Sequence, residues 1–182
     1  MIACIVADPP WQPRDKLPGK GRGAAKHYPT MATDDLCRFL GGTWANVADD
    51  CVLMLWRLAS MQADALRVAD AWGFRVVSEV VWQKLTKNGK PHFGMGRTVR
   101  ASHETALVCV RGRASRVIQS HRVRSTFSAP VPCGADGRPI HSAKPDEFFV
   151  IVEELCAGPY LELFARKRRE RWLQIGNQLG SR

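Results

Sequence analysis

Ile2-Ala-Cys-Ile-Val-Ala7-Asp8-Pro9-Pro10-Trp11 is the stretch from which this chain is read. Six apolar residues, Ile2–Ala7, are cut short by two prolines, the pattern of a buried strand that stops abruptly. It stops on a carboxylate, backbone carbonyls and an aromatic face. Proline donates no N–H, yet its carbonyl accepts, and an ionised Asp8 is acceptor-only. Two adjacent acceptors suit a group with two hydrogens to give, such as the planar exocyclic amine of adenine or cytosine. Trp11 offers a π-face for a base, worth about 1–3 kcal/mol. Holding both amino hydrogens discourages the nitrogen from sharing its lone pair with the ring and leaves that pair available for attack. The competing reading of the same four residues is structural: a strand-ending turn, a helix-capping Asp and a core Trp.

Composition narrows the setting. The chain has 182 residues, 45% of them hydrophobic, enough for one domain with a real core. Its net charge of +10 predicts an anionic partner, nucleic acid before membrane. No apolar run approaches transmembrane length, and Met1–Ala7 is too short for a signal segment, so a cytoplasmic location is expected. The cysteines (Cys4, Cys37, Cys51, Cys109, Cys133 and Cys156) are scattered without a C-x-x-C pair. They read as buried reduced thiols, not a disulfide frame or a metal site.

Working outward, Gln12–Lys26 is a long basic loop rich in Gly and Pro, without P-loop spacing. Thr33-Asp34-Asp35 predicts a short helix through Leu40. Asp50–Arg57 reads as a second strand, and Ser60 starts a helix to about Trp72 with Met61, Ala65, Val68 and Trp72 on one face. Phe74–Lys84 is a third strand, Leu85–Ser102 a second long basic loop, and His103–Val110 a fourth strand. Ser125–Arg138 reads as loop. His141–Glu147 opens a helix with Pro145 as a first-turn proline, and Phe148, Ile151, Val152 and Leu155 form its apolar stripe up to Gly158. Tyr160–Ala165 is a fifth strand before the basic run Arg166–Arg171, and Trp172–Gln178 a short last strand or turn. Alternating strands and helices predict a single α/β domain over 1–182 with a parallel-dominated sheet, whose ligands bind beyond the carboxyl strand ends. Trp56, Trp72 and Trp82 read as core. The roles of the His103-Glu104 pair and of His141 stay open.

Taken together, the ordered motifs resemble those of the messenger-RNA adenosine methyltransferase family, MT-A70-like. They are D-P-P-W at 8–11, Y-P-T-M at 28–31, L-W at 55–56, V-W-Q-K at 81–84, G-R-T-x-R-x-x-H-E at 96–104, H-S-x-K-P-D-E at 141–147, E-L-F-A-R at 162–166 and G-N-Q at 176–178. The resemblance runs from Ala7 to about Leu179. It implies a class I, Rossmann-like methyltransferase using S-adenosylmethionine, in permuted order with the catalytic motif first and the cofactor-binding strand last. Glu162–Arg166 would replace the usual glycine-rich turn. Arg166, Asn177 and Gln178 match positions contacting the cofactor's ribose and adenine, and Lys144 matches the lysine paired with its methionine carboxylate. Asp8 would face the substrate amine close to the cofactor.

The function expected on that basis is methyl transfer to the 6-amino group of adenine in DNA, the substrate ascribed to small prokaryotic and phage members. Asp8 and the Pro9 carbonyl would orient the amine, Trp11 would stack on the base, and Tyr28 would shape the pocket wall. No Cys or Ser flanks the motif to form a covalent intermediate, so transfer is direct and rests on positioning. A paired base must be flipped out or presented single-stranded. The two long loops would cover it, with Lys16, Lys20, Lys87 and Arg97 on the phosphate backbone. Base readout would come from these loops or from a second protomer in a homodimer, or hardly exist. Rival readings are adenosine methylation in RNA, transfer to cytosine, and a non-catalytic nucleic-acid-binding partner subunit.

Overall fold

The computed structural model describes residues 1–13, 29–39, 46–96, 98–177 and 179. Seven strands form one sheet: β1 (Ile2–Ala7), β2 (Val47–Arg57), β3 (Arg75–Leu85), β4 (His103–Arg111), β5 (Thr126–Pro130), β6 (Tyr160–Leu163) and β7 (Trp172–Ile175). Among the described residues, three α-helices cover it: α1 (Thr33–Arg38), α2 (Gln62–Ala71) and α3 (Asp146–Leu155). Strand order is β5-β3-β4-β2-β1-β6-β7.

Sheet residues alternate between two cores, as a pleated strand buried on both faces requires. Ile5, Ala7, Leu53, Leu55 and Leu107 point to one face, where they meet Leu36 of α1 and Ala65 and Val68 of α2. Cys4, Val6, Met54, Trp56 and Val108 point to the other, against Phe148, Phe149 and Val152 of α3. Each buried Leu, Ile, Val, Met or Phe among them contributes about 1.5–3 kcal/mol over leaving it exposed. The result is a helix–sheet–helix sandwich, the α/β class expected from the alternating pattern. Among the described residues no helix is long and apolar enough to cross a membrane. All six cysteines are free, with Cys4, Cys51, Cys109 and Cys156 buried.

Several boundaries move. The strand read from Asp50 begins at Val47, and the one read to Ala165 ends at Leu163. The helix opening at 33 is not capped by its hydroxyl: Thr33 Oγ1 donates to Asp64 Oδ1 at 2.8 Å, tying α1 to α2. Pro145 is the N-cap of α3 and lies just outside its first turn. Strand β5 falls inside 125–138, a segment whose Pro and Gly content reads as loop. It pairs in parallel with β3 through Trp82↔Phe127 and its neighbours, and Trp82 Nε1 donates to Ala129 O at 2.9 Å.

The sheet is mixed. β1 pairs in parallel with β2 and β6, and β6 with β7, but β4 runs antiparallel to both β2 and β3. Reversing β4 alone has one consequence for the site. The end of β3 and the start of β4 both lie at the edge where β1, β2 and β6 end, so the connection 86–102 rises from that edge. Chain order also diverges at β1, whose neighbours β2 and β6 lie far apart in sequence. Such a divergence opens a crevice at the carboxyl strand ends.

Candidate functional site

Asp8 emerges from β1 at that crevice, and the two residues after it shape a tight turn. Trp11 N donates to Pro9 O at 2.8 Å, and Met31 N to Pro10 O at 2.8 Å. The prolyl carbonyls expected to stand open are therefore each engaged once by the chain, because a strand that ends in two donorless residues still has acceptors to satisfy. A carbonyl has two lone pairs, so Pro9 O keeps one. Trp11 departs further from the expected stacking platform. It is only 4% exposed, sits in the core with Leu36 and Leu55, and donates from Nε1 to Trp56 O at 2.9 Å. Burial of so large an apolar ring outweighs exposing it. Trp11 acts here as the peg that fixes the turn.

Asp8 is held by a chain of alternating charges. Lys144 Nζ lies 2.6 Å from Asp8 Oδ2 and 3.3 Å from Glu104 Oε2, and it donates to Ser142 O at 3.2 Å. Glu104 Oε1 is paired in turn with Lys84 Nζ. The Lys144 ammonium also stands 5.0 Å from the centre of the Trp56 ring, and Lys84 stands 5.1 Å from that of Trp82. Burial by itself pushes the Glu104 carboxyl up, but the ammoniums of Lys144 and Lys84 outweigh it and hold it below the usual carboxylate range. Burial favours neutral Lys144, yet Asp8 and Glu104 outweigh that and raise it above an ordinary lysine. Lys144 has three protons and three acceptors, all supplied by the protein. A ligand carboxylate must displace one of them.

The sequence left the role of Glu104 open and did not single out Lys84; the structure sets both in the charge chain that reaches Asp8. Their signal lies in the register of β3 and β4, which places Trp82 opposite Glu104 and Gln83 opposite His103. V-W-Q-K and H-E thus belong to one cross-strand cluster.

Two cavities adjoin at Asp8. One, of about 360 Å³, is lined by Asp8, Trp56, Cys133, Lys144, Glu162 and Arg166. The other, of about 350 Å³, is lined by Asp8, Pro10, Met31, Phe164, Arg166 and Asn177. Both volumes fall in the range of small-molecule sites. Phe164, common to both, packs against Phe39 with ring centres 4.8 Å apart and the rings tilted by 32°, and has φ +62°. A non-glycine residue in that region costs about 1–3 kcal/mol, a strain typical of turns that shape ligand sites.

Glu162, at the carboxyl end of β6, accepts from Gln174 Nε2 at 2.7 Å; burial raises its carboxyl above the ordinary value. Arg166 donates to His141 O at 2.9 Å, which closes the 141–144 turn over the polar cavity. The end of β7 packs against the segment that follows β6: Ala165 N donates to Ile175 O at 3.0 Å, and a Cβ on Gly176 would collide with the Ala165 backbone. Gly176→Ala is therefore expected to cost about 1–3 kcal/mol by overpacking. A thermal melt compared with the unsubstituted protein checks it.

The structure brings together Asp8, Lys144, Glu162, Arg166 and Asn177, all expected in the site from the sequence. Lys87 is exposed on the 86–102 connection at the same sheet edge. Lys16, Lys20, Tyr28, Arg97 and Gln178 lie outside the described residues.

The fold is thus a mixed α/β sheet with helices on both faces and a carboxylate, Asp8, where two cavities adjoin. The MT-A70 family model matches residues 2–178, and the chain belongs to that family. It is 28% identical over 98% of its length to an N(6)-adenosine-methyltransferase MT-A70-like protein of Drosophila melanogaster, covering 27% of that protein. It is 24% identical over 96% of its length to the Type II methyltransferase M.MunI of a Mycoplasma species, covering 76% of it. It is 27% identical to the human N(6)-adenine-specific methyltransferase METTL4, with 96% of this chain covering 37% of that one. The chain thus spans about a quarter of the length of the first of these relatives.

Proposed function

We propose that this chain transfers a methyl group from S-adenosylmethionine to the 6-amino group of adenine in DNA, as a single domain of the class I Rossmann-like kind in permuted order. The observation that carries the reading is Asp8, set where two cavities meet and held in place by Lys144. Support for adenine comes from relatives named for adenosine or adenine. DNA is preferred because the relative most nearly matched in extent among those described is a Type II methyltransferase; RNA stays the alternative.

The lining fits a charged, hydroxylated cofactor. The polar cavity has a cation in Lys144, an acceptor in Glu162 at a strand's carboxyl end, and a donor in Arg166. Trp56, on the same wall, has a buried indole N–H without a partner among the described residues, the kind of orphaned donor that a bound acceptor relieves. S-adenosylmethionine, when bound, supplies an electrophilic methyl on a positively charged sulfur. Lys144 would engage its carboxylate by releasing the Ser142 carbonyl, the one neutral acceptor of its three. Glu162 and Arg166 would take the ribose hydroxyls, and Asn177 with Gln178 the adenine. Asp8 and the second lone pair of Pro9 O would accept the two amino hydrogens of the substrate. Positioning of the nitrogen is the main contribution, with reacting atoms ~3–3.5 Å apart.

The deciding experiment is methyl transfer from labelled S-adenosylmethionine to separate DNA and RNA pools, with mass spectrometry of the product nucleosides. N6-methyladenine in DNA is expected. Product confined to RNA would keep the chemistry and replace the substrate. No product in either, with no cofactor binding, would favour a non-catalytic partner subunit.

Cys133 gives an independent check on the cofactor pocket. It is exposed and lines the polar cavity, whereas burial pushes the Cys51 and Cys109 thiols up to about 12 and raises Cys4 and Cys37 as well. For Cys4 a hydrogen bond with Cys156 adds the larger push. N-ethylmaleimide at neutral pH is expected to label Cys133 first. S-adenosylhomocysteine at ten times its dissociation constant should slow that labelling by about ten-fold, read by peptide mass spectrometry.

A further inference from the structure

The connection 86–102 presents large apolar side chains that the site does not use. Phe93 is 76% exposed, Met95 92% and Val99 77%. Scattered exposed hydrophobics need no explanation, but three within seven residues of one connection do. Nor is this stretch loosely draped. His92 N donates to Lys84 O at 2.9 Å, Lys84 N to Ser102 O at 2.9 Å, and Gly94 N to Ala101 O at 3.1 Å. The two limbs approach backbone to backbone: a Cβ on Gly94 would stand 2.2 Å from Ala101 O. With the space between the limbs filled by main chain, the apolar side chains project outward.

Position and charge indicate what they meet. The finger is rooted at Lys84 and Glu104, which connect through Lys144 to Asp8, so it rises beside the catalytic carboxylate. Lys87, Lys90 and Arg100 are exposed on it, and the Arg100 guanidinium lies 5.0 Å from the centre of the Phe93 ring. Apolar tips among cations suit a polyanion with a stacked apolar interior. An adenine amine inside a duplex cannot reach Asp8 unless the base leaves the stack, and the vacated step then needs filling. Apolar side chains inserted at a base step are a known way to stabilise such an opening.

We propose that Phe93, Met95 and Val99 form an apolar wedge that enters the duplex beside the target adenine and holds the stack open while the base lies at Asp8. This rests on the adenine-methylation reading above. The test is a Phe93→Ala/Met95→Ala double variant, with Phe93→Leu as the apolar rescue. Three oligonucleotides of one sequence are compared: fully paired duplex, duplex with the target adenine opposite an abasic site, and single strand. Expected is a loss of about ten-fold or more on the paired duplex, with the other two within about two-fold of the unsubstituted protein and recovery in Phe93→Leu. Equal losses on all three substrates, or no loss on the duplex, would overturn the wedge. So would a variant that becomes monomeric while the unsubstituted chain self-associates, since the finger would then be a protein contact. Replacing the target with 2-aminopurine needs no turnover. A fluorescence rise on binding that the double variant lacks supports the wedge even if no substrate is methylated, an outcome that would remove only the functional reading. The absence of any rise with the unsubstituted protein sinks the wedge itself.

Discussion

Asp8→Asn is expected to lower methyl transfer by about 10²-fold or more while leaving cofactor binding within a few-fold of its original value. The substitution keeps shape and removes acceptor capacity. Asp8 Oδ2 is committed to Lys144 at 2.6 Å, so Oδ1 is the oxygen through which the carboxylate would hold a substrate amine. An asparagine has one acceptor and one amide NH2 to place at those two positions. If its oxygen faces Lys144, its NH2 confronts the substrate's amino group, donor against donor. If its oxygen faces the substrate, its NH2 confronts the ammonium. Either arrangement loses an interaction that the chemistry needs, and the nitrogen is no longer held on line with the methyl group. Turnover on an adenine-containing duplex, with titration calorimetry for S-adenosylmethionine, separates the two effects. Normal turnover by Asp8→Asn would dismiss Asp8 as the residue that orients the amine.

The part of this site legible in the sequence is the part carried by strand ends. Asp8 after Ile2–Ala7, and Glu162 to Arg166 at the end of β6, could be placed because an apolar run followed by a breaker marks where a parallel strand stops. Lys144 followed from the family pattern, but its partners did not. Glu104 lies 40 residues upstream of Lys144, and Lys84 a further 20. Only the antiparallel pairing of β3 with β4 brings Lys84 and Glu104 together. A connection of 17 residues between those strands hides the hairpin, since short turns are what announce one. Strand β5 was hidden for a related reason: Thr126–Pro130 is held by an edge pairing with β3, and its own composition carries no strand pattern. Trp11 shows the opposite failure. The residue was legible, but whether an indole lines a pocket or a core depends on the helices above it, here α1 and α2.

Lys144→Met should destabilise the fold by about 3–5 kcal/mol at neutral pH, the cost of leaving buried charges without their partner. The methionine can still pack against Trp56, so the loss isolates the charge. Without the ammonium, Asp8 and Glu104 face one another as carboxylates, and each disfavours ionisation of the other. The pH dependence follows from the signs. In the unsubstituted protein Glu104 is held below the ordinary carboxylate value of 4.5, so its contribution is present above that value and is lost as pH falls through the depressed one. Lys144 is held above 10.5, so its contribution is present below that value and is lost as pH rises through the raised one. The difference in unfolding free energy between the two proteins should therefore be largest between these limits and shrink below about pH 4.5. Urea unfolding at pH 7.5 and at pH 4 measures it. Glu104→Gln added to Lys144→Met removes one of the opposed charges and should recover part of the loss, a coupling that a double-mutant cycle reads directly. A cost below about 1 kcal/mol, unchanged with pH, would mean that the ion chain contributes no more than an exposed surface pair. The orientation of Asp8 would then rest on the Pro9–Trp11 turn alone.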